Sequence, residues 1–163
     1  MFDKKYISLQ GYNKQVEELS KKRAAEKQIC VQIAESRERE LSSDTENVEL
    51  LSLMAEKNAL QEQISDIEQF CVSVIVVDLN TLPASTNVVK FGSTVEMINI
   101  ETEETKSFTI LGERESDLKN NIVSYSSPIG MAMLNNGIGE IIGIEAPKGL
   151  IEYEIVSIKK YNP

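Results

Sequence analysis

Leu41-Ser42-Ser43-Asp44-Thr45-Glu46-Asn47 interrupts what would otherwise be one helical stretch from Ser8 to Val74. Short polar side chains such as Ser, Asp, Thr and Asn compete for nearby backbone hydrogen bonds, so they favour the ends of helices over their interiors. Ser43 followed by Glu46 has the spacing of a capping box, which starts a new helix. On either side of this cluster Glu, Lys, Gln, Ala and Leu dominate, with a single glycine, Gly11, and no proline. The reading is two long helices, antiparallel, joined by a tight turn at residues 42–45.

Working outward, Leu50, Leu53, Leu60, Ile64, Ile67, Cys71 and Val74 recur at alternating steps of three and four, with Lys57 the one polar member. That is a heptad seam. The first arm echoes it more weakly through Leu9, Tyr12, Val16, Leu19, Cys30 and Ile33, with Arg23, Glu26 and Arg37 interrupting. A hairpin folded at the turn pairs positions whose numbers sum to about 88, which sets Cys30 near Asn58 to Leu60 and Cys71 near Val16 to Leu19. The two thiols are thereby out of reach of one another, and both are expected in the core. Each arm of about 33 residues extends about 50 Å at the helical rise, the dimensions of a probe or spacer.

After Asp78 the composition turns over. Leu79 to Asn87 reads as a linker, and beyond residue 78 lie seven of the eight glycines and all four prolines. The expected division is a hairpin over residues 1–78, a linker over 79–87 and a second domain over 88–163. Strand-like runs occur at Val88 to Phe91, Thr94 to Ile100, Lys106 to Leu111, Asn121 to Tyr125, Glu140 to Ala146 and Leu150 to Ile158. Ser127-Pro128-Ile129-Gly130-Met131-Ala132-Met133-Leu134 supplies one short helix, with Ser127 as cap and proline in the first turn. The fold class is α+β: a helical hairpin followed by an antiparallel sheet domain carrying one short helix.

Composition narrows the function. Among 163 residues there are 17 basic and 26 acidic side chains, a formal charge of −9, which disfavours broad contact with DNA. Histidine is absent, removing the commonest general base, the histidine-dependent nucleophiles and most imidazole metal sites. The apolar run at Val74 to Val77 is far short of the roughly 20 residues a membrane span needs, and Met1 to Tyr6 has no signal-peptide core. A cytoplasmic chain with no membrane association is expected.

Taken in order, several segments resemble the bacterial transcript cleavage and elongation factors of the Gre family, nearer its GreA branch than GreB. In the hairpin they are Ile33-Ala34-Glu35-Ser36-Arg37-Glu38, Glu46-Asn47-Val48-Glu49 and Ile64-Ser65-Asp66-Ile67-Glu68. In the second domain they are Val89-Lys90-Phe91-Gly92-Ser93-Thr94-Val95, Ile110-Leu111-Gly112 with the acidic stretch Glu113 to Asp117, Ser127-Pro128-Ile129 and Pro147-Lys148-Gly149. The resemblance covers nearly the whole chain and implies an FKBP-like second domain. It further implies docking on the β′ subunit of RNA polymerase at the rim of the secondary channel, with the hairpin reaching the polymerase's active site. There it would stimulate cleavage of backtracked RNA, an accessory role rather than an enzyme's own.

By that resemblance the tip carboxylates Asp44 and Glu46 help to hold the polymerase's second Mg²⁺ and its attacking water, with Ser43, Glu49 and Glu40 as alternates. No metal is bound stably by the free protein, and no cofactor of its own is expected. The chemistry is sound, because one or two carboxylates on a rigid support complete the oxygen shell of a weakly held Mg²⁺. Carboxylates at a helix start also serve simply to offset the helix dipole, an alternative reading of the same residues. The family's usual tip reads Gly-Asp-Leu-Lys-Glu-Asn-Ala-Glu-Tyr. Aligned on Glu46-Asn47, the present chain has Ser43 where the family carries its Asp, and Asp44 one place later. Some relatives enter the same channel and inhibit cleavage, and an altered tip is compatible with that role.

Arg37 and Arg39 are the basic residues expected to face the 3′ RNA of a backtracked complex, while Lys14 to Lys27 are equally accounted for by helical pairs with Glu17, Glu18 and Glu26. Ser126, Ser127, Pro128, Ile129 and Met133 form the expected polymerase-docking segment. Two other classes compete. A prolyl isomerase is disfavoured because its pocket commonly needs a tryptophan floor and this chain has no Trp. A purely structural coiled-coil adaptor is the other.

Overall fold

The computed structural model describes residues 4–40, 48–84 and 86–162. The chain divides into two compact units, one of Tyr12–Ser73 and one that joins Met1–Gly11 to Val74–Pro163.

The first unit consists of α1 (Leu9–Glu40), most of which it contains, and α2 (Val48–Ser73). They run antiparallel in the expected register. Lys22 Nζ donates to Gln63 Oε1 at 2.7 Å, Gln61 Nε2 to Glu26 Oε1 at 2.8 Å, and Arg23 meets Glu68 at 2.5 Å. Between the helices Ile29, Ile33 and Leu50 are buried, with Leu53 and Leu60 packed against them. Every member of the α2 seam, Lys57 included, is buried or half-buried. On α1 the inward line keeps the expected Tyr12, Leu19 and Ile33 and departs from expectation by one residue at the positions between them. Gln15, Ile29 and Ser36 are buried, whereas Val16 is 44% exposed and Cys30 is exposed. Cys30 is therefore not a core residue, and Cys71 is only half-buried. The helical period running through Ile29 and Ile33 reaches Ser36, and the fully buried small serine occupies a place where an apolar letter would be sought.

The second unit begins earlier than the linker reading implies and also takes in the start of the chain. β1 (Lys5–Ser8) pairs in parallel with β2 (Val74–Val77), from Lys5 opposite Val74 to Ser8 opposite Val77. Residues 5–8 and 74–77 thus belong with the sheet unit and not with the hairpin. The expected linker is likewise structured, with a helical turn at Leu79–Thr81 capped by the Asp78 carboxylate and Leu79 itself buried.

The main sheet has five strands in the order β5-β4-β3-β7-β6: β3 (Ser93–Asn99), β4 (Thr105–Leu111), β5 (Ile122–Ser124), β6 (Ile141–Ala146) and β7 (Gly149–Lys160). All neighbours are antiparallel except β5, which joins β4 in parallel at one edge. Val88 to Phe91, expected as a strand, makes only an isolated bridge from Val88 to Gly137. Alternation along β3 turns Ser93, Val95, Met97 and Asn99 inward. A bulge where Glu96 and Met97 meet β7 lets both Ile155 and Ile158 face the core although they lie three residues apart. α3 (Pro128–Met133) closes the core with Met133 fully buried. Gly130 permits that approach, because a Cβ there would overlap the Ser124 carbonyl oxygen.

Candidate functional site

The site residues expected from the sequence fall in two groups, one on the hairpin and one around α3. At the hairpin's described end, Arg39 donates to Glu49 at 3.4 Å and to the Glu35 carbonyl at 3.4 Å. This pair ties the last turn of α1 to the first turn of α2 and occupies Glu49, one of the alternates for the metal-positioning role. Asp44, Glu46 and Ser43 lie outside the described residues, as does the Glu40 side chain.

Arg37 is placed differently. With Lys57, Cys30 and Met54 it lines a groove of about 280 Å³, and it makes no ion pair with another described residue. Of the cations nearer the start of α1, three are paired: Lys21 with Glu17 at 2.6 Å, Lys22 with Glu18 at 3.5 Å and Arg23 with Glu68. Its hydrogen bond to Lys21 holds the Glu17 carboxyl below its ordinary range. Such exposed pairs are screened by solvent and contribute little to stability. Arg37 has Lys57 of α2 beside it in the groove, so two positive side chains share its lining. Lys57 was not singled out as a site residue, since its place in the seam reads as a polar interruption.

Around α3 the sequence Ser124 to Gly130 builds a compact polar turn. Ser127 caps the helix, its Oγ accepting from Gly130 N–H at 3.1 Å and donating to the Ser124 carbonyl at 2.6 Å. Pro128 follows in the first turn, where its missing N–H has no partner to lose. Ser126 Oγ donates to Glu113 Oε1 at 3.1 Å and shares a 2.8 Å hydrogen bond with Ser124 Oγ. Glu113 in turn sits 3.8 Å from Lys5 Nζ. The Ser126 hydroxyl is thus committed internally and presents the Glu113 carboxylate, a residue sequence reasoning had grouped only with an acidic stretch.

Of the apolar members, Ile129 is half-buried against the core. Met133, expected at a docking surface, is 0% exposed and cannot touch a partner. Its i−2 neighbour Met131 is 55% exposed and carries the outward face with Pro128. The one-letter pattern offers three apolar side chains in this short helix and does not say which of them the sheet covers.

The family model described as "Transcription elongation factor, GreA/GreB, C-term" matches residues 84–160. Transcription elongation factor GreA of Chelativorans sp. is 34% identical over 94% of this chain and 96% of its own. That of Methylobacterium sp. is 33% identical over 96% and 98%. The chain belongs to the GreA/GreB family. GreA of Pseudomonas aeruginosa is 36% identical over 81% of this chain and 82% of its own. Among solved structures, GreA factor homolog 1 of Thermus thermophilus aligns over 95% of this chain and 98% of its own, at 22% identity and a TM-score of 0.44.

As a GreA/GreB family member the chain keeps both parts that the full-length matches span, the helical hairpin and the sheet unit. Among the described residues no helix is long and apolar enough to cross a membrane.

Proposed function

We propose that this chain is an accessory elongation factor of RNA polymerase that stimulates the polymerase's own cleavage of backtracked RNA and acts in the cytoplasm. One observation carries the reading: relatives named transcription elongation factor GreA align over 94–96% of the chain, hairpin and sheet unit alike. Two features of the chain support it. The hairpin is made of helices of 32 and 26 residues, long enough to reach into a channel. Residues 40–49, from the last residue of α1 into the first turn of α2, hold Glu40, Asp44, Glu46 and Glu49 and no basic residue.

In this reading the outward face of α3, Pro128 and Met131 with Glu113 beside them, docks on the polymerase β′ subunit. Arg37, with Arg39 held in reserve by Glu49, meets the phosphates of the 3′ RNA. Asp44 and Glu46 supply oxygen ligands to the Mg²⁺ that the polymerase brings, which neutralises developing charge at the scissile phosphate.

A second reading follows from one residue. Ser43 stands where the family carries its Asp, so the chain would occupy the channel without completing the metal's shell and would inhibit or modulate transcription. The deciding experiment is incubation of a stalled, backtracked elongation complex with the protein and Mg²⁺, followed by RNA length on a denaturing gel. Faster shortening of the RNA supports stimulation. Binding with unchanged or slower shortening transfers the assignment to the second reading.

A further inference from the structure

β6 (Ile141–Ala146) is the last strand of the main sheet, with β7 on one side and no strand on the other. Its pairing fixes which groups face the open side. Ile155 N–H donates to the Glu140 carbonyl at 3.0 Å, while the Glu152 carbonyl accepts from Ile100 N–H at 3.1 Å, on the β3 side of β7. Opposed residues in an antiparallel pair alternate between bonding each other and facing away. In the register of Ile142 with Tyr153 and Ile144 with Ile151, β6 therefore bonds β7 through Ile142 and Ile144. The N–H and C=O groups of Ile141, Gly143 and Glu145 turn to the open edge.

Folded proteins ordinarily blunt such an edge with lysine, proline, a bulge or a very short strand. The opposite edge follows that rule, since β5 has three residues and Ile122 within it bridges back to Asp117. β6 has six residues, neither lysine nor proline, and an unbroken register with β7. It is a regular edge, long enough to template another strand.

Its surroundings select the occupant. On the outward face of the β6 and β7 pair, Ile141 and Leu150 are 60% and 64% exposed. Glu145, Glu152 and Glu154 are exposed beside them and make no ion pair with another described residue. An added strand sets alternate side chains on this face, where an apolar one suits Ile141 and a cationic one suits Glu145. A second copy of this chain is a poor occupant, because it brings like charges to the same face at −9 per chain.

We propose that the β6 edge takes up an extended segment of another protein as a sixth strand, one carrying Lys or Arg at alternate, outward-facing positions. Main-chain hydrogen bonds to Ile141, Gly143 and Glu145 supply affinity, and the three carboxylates select positive charge. The proposal does not depend on the docking reading, which uses the outward face of α3.

The test is fluorescence anisotropy of the full chain with a labelled Lys-Val-Lys-Val-Lys-Val-Lys peptide, and with the same peptide N-methylated at every residue, which keeps the charge and loses its main-chain donors. Gly143→Pro removes an N–H that β7 does not use, at an edge position where proline is tolerated and where a Cβ meets only the end of the Leu150 side chain, at 3.0 Å. N-methylation and Gly143→Pro are each expected to weaken binding about tenfold or more, and Glu145→Lys about threefold. Hydrogen exchange at Ile141, Gly143 and Glu145 should slow when the unmethylated peptide binds. Met131→Glu, which probes docking through α3, should leave peptide binding unchanged. Equal affinity for both peptides, indifferent to Gly143→Pro, would show attraction by charge alone and overturn the proposal, as would no binding of either peptide. If thermal melting shows that Gly143→Pro does not fold, hydrogen exchange decides, and amides at the three positions that the peptide leaves unprotected overturn it. A homodimer in sedimentation velocity that Gly143→Pro dissolves would assign the edge to a second copy and overturn it too.

Discussion

The Glu115 carboxylate accepts the Ser8 backbone N–H at 3.0 Å and also takes the Ser8 hydroxyl, so the last residue of β1 is held by the turn that follows β4. The same carboxylate accepts Gly112 N–H at 2.9 Å, and Ser8 Oγ in turn accepts Gly11 N–H at 3.0 Å. The Glu115 carboxylate thereby holds Ser8, whose hydroxyl in turn satisfies Gly11 N–H, one of the first-turn N–H groups of α1 that have no partner within the helix. Gly11 is part of the arrangement, because a Cβ there would overlap the Glu115 carboxylate. Glu115→Ala is expected to cost about 2 kcal/mol, the order expected when two partly buried N–H groups lose an acceptor. Chemical denaturation measures it.

Gly11→Ala separates two opposing effects. Alanine gains up to about 1 kcal/mol over glycine inside a helix, yet here it displaces the carboxylate and its hydrogen bonds. The substitution should destabilise the wild type and stabilise the Glu115→Ala background. Equal effects in both backgrounds of this double-mutant cycle would show that the two residues do not interact.

The two methionines of α3 should part company on mutation. Met133→Ala empties a fully buried position and is expected to cost about 2–5 kcal/mol, with polymerase affinity lowered only as far as folding is. Met131→Glu changes an exposed residue, should alter stability by no more than about 0.5 kcal/mol, and should weaken polymerase binding at an unchanged melting temperature. Thermal melts read beside binding curves check both.

What the sequence disclosed here depended on whether a residue's environment is local. The pairing of the two helices was legible because Leu50, Ile64 and Ile67 repeat with the helix, while the expected turn at residues 42–45 lies outside the described residues. The burial of Gln15 and Ser36 on α1 was not, since neither side chain's own character signals it. The parallel pairing of Lys5–Ser8 with Val74–Val77 joins segments about 70 residues apart, which no local pattern encodes. The short helix α3 was legible from its Ser-Pro cap, but which of Ile129, Met131 and Met133 faces outward was not, because a six-residue helix has too few turns for periodicity to separate its faces.

Arg37 and Arg39 should also differ, although the sequence offers them as a pair. Arg39 is engaged by Glu49 and the Glu35 carbonyl, whereas Arg37 faces the groove beside Lys57. Arg37→Ala is expected to slow RNA cleavage or loosen the factor's hold on backtracked complexes by about tenfold, and Lys57→Ala by less, each losing one phosphate contact. Arg39→Ala should act mainly by freeing Glu49 and should change cleavage less than Arg37→Ala does. Rates measured at two salt concentrations distinguish a phosphate contact, whose loss reduces the salt dependence, from a structural effect, whose loss leaves it alone.

The tip decides between stimulation and inhibition. If Asp44 and Glu46 supply oxygen ligands to the polymerase's Mg²⁺, then Asp44→Ala and Glu46→Ala should each abolish stimulated cleavage while leaving polymerase affinity within about twofold, since surface substitutions of this kind rarely perturb a fold. Ser43→Asp then asks whether the displaced carboxylate costs activity. Where Asp44 reaches the metal obliquely, a carboxylate at position 43 adds a better-placed ligand and lowers the Mg²⁺ needed for cutting. The gain should stay modest, because the added oxygen competes with water for the metal and neighbouring carboxylates raise one another's cost of ionisation. Where Asp44 and Glu46 already supply the family's two ligands, Ser43→Asp should leave the Mg²⁺ requirement unchanged or raise it. A wild type that cuts nothing and a Ser43→Asp variant that cuts rapidly would mean that the protein occupies the channel as an inhibitor, with one missing carboxylate separating the two activities.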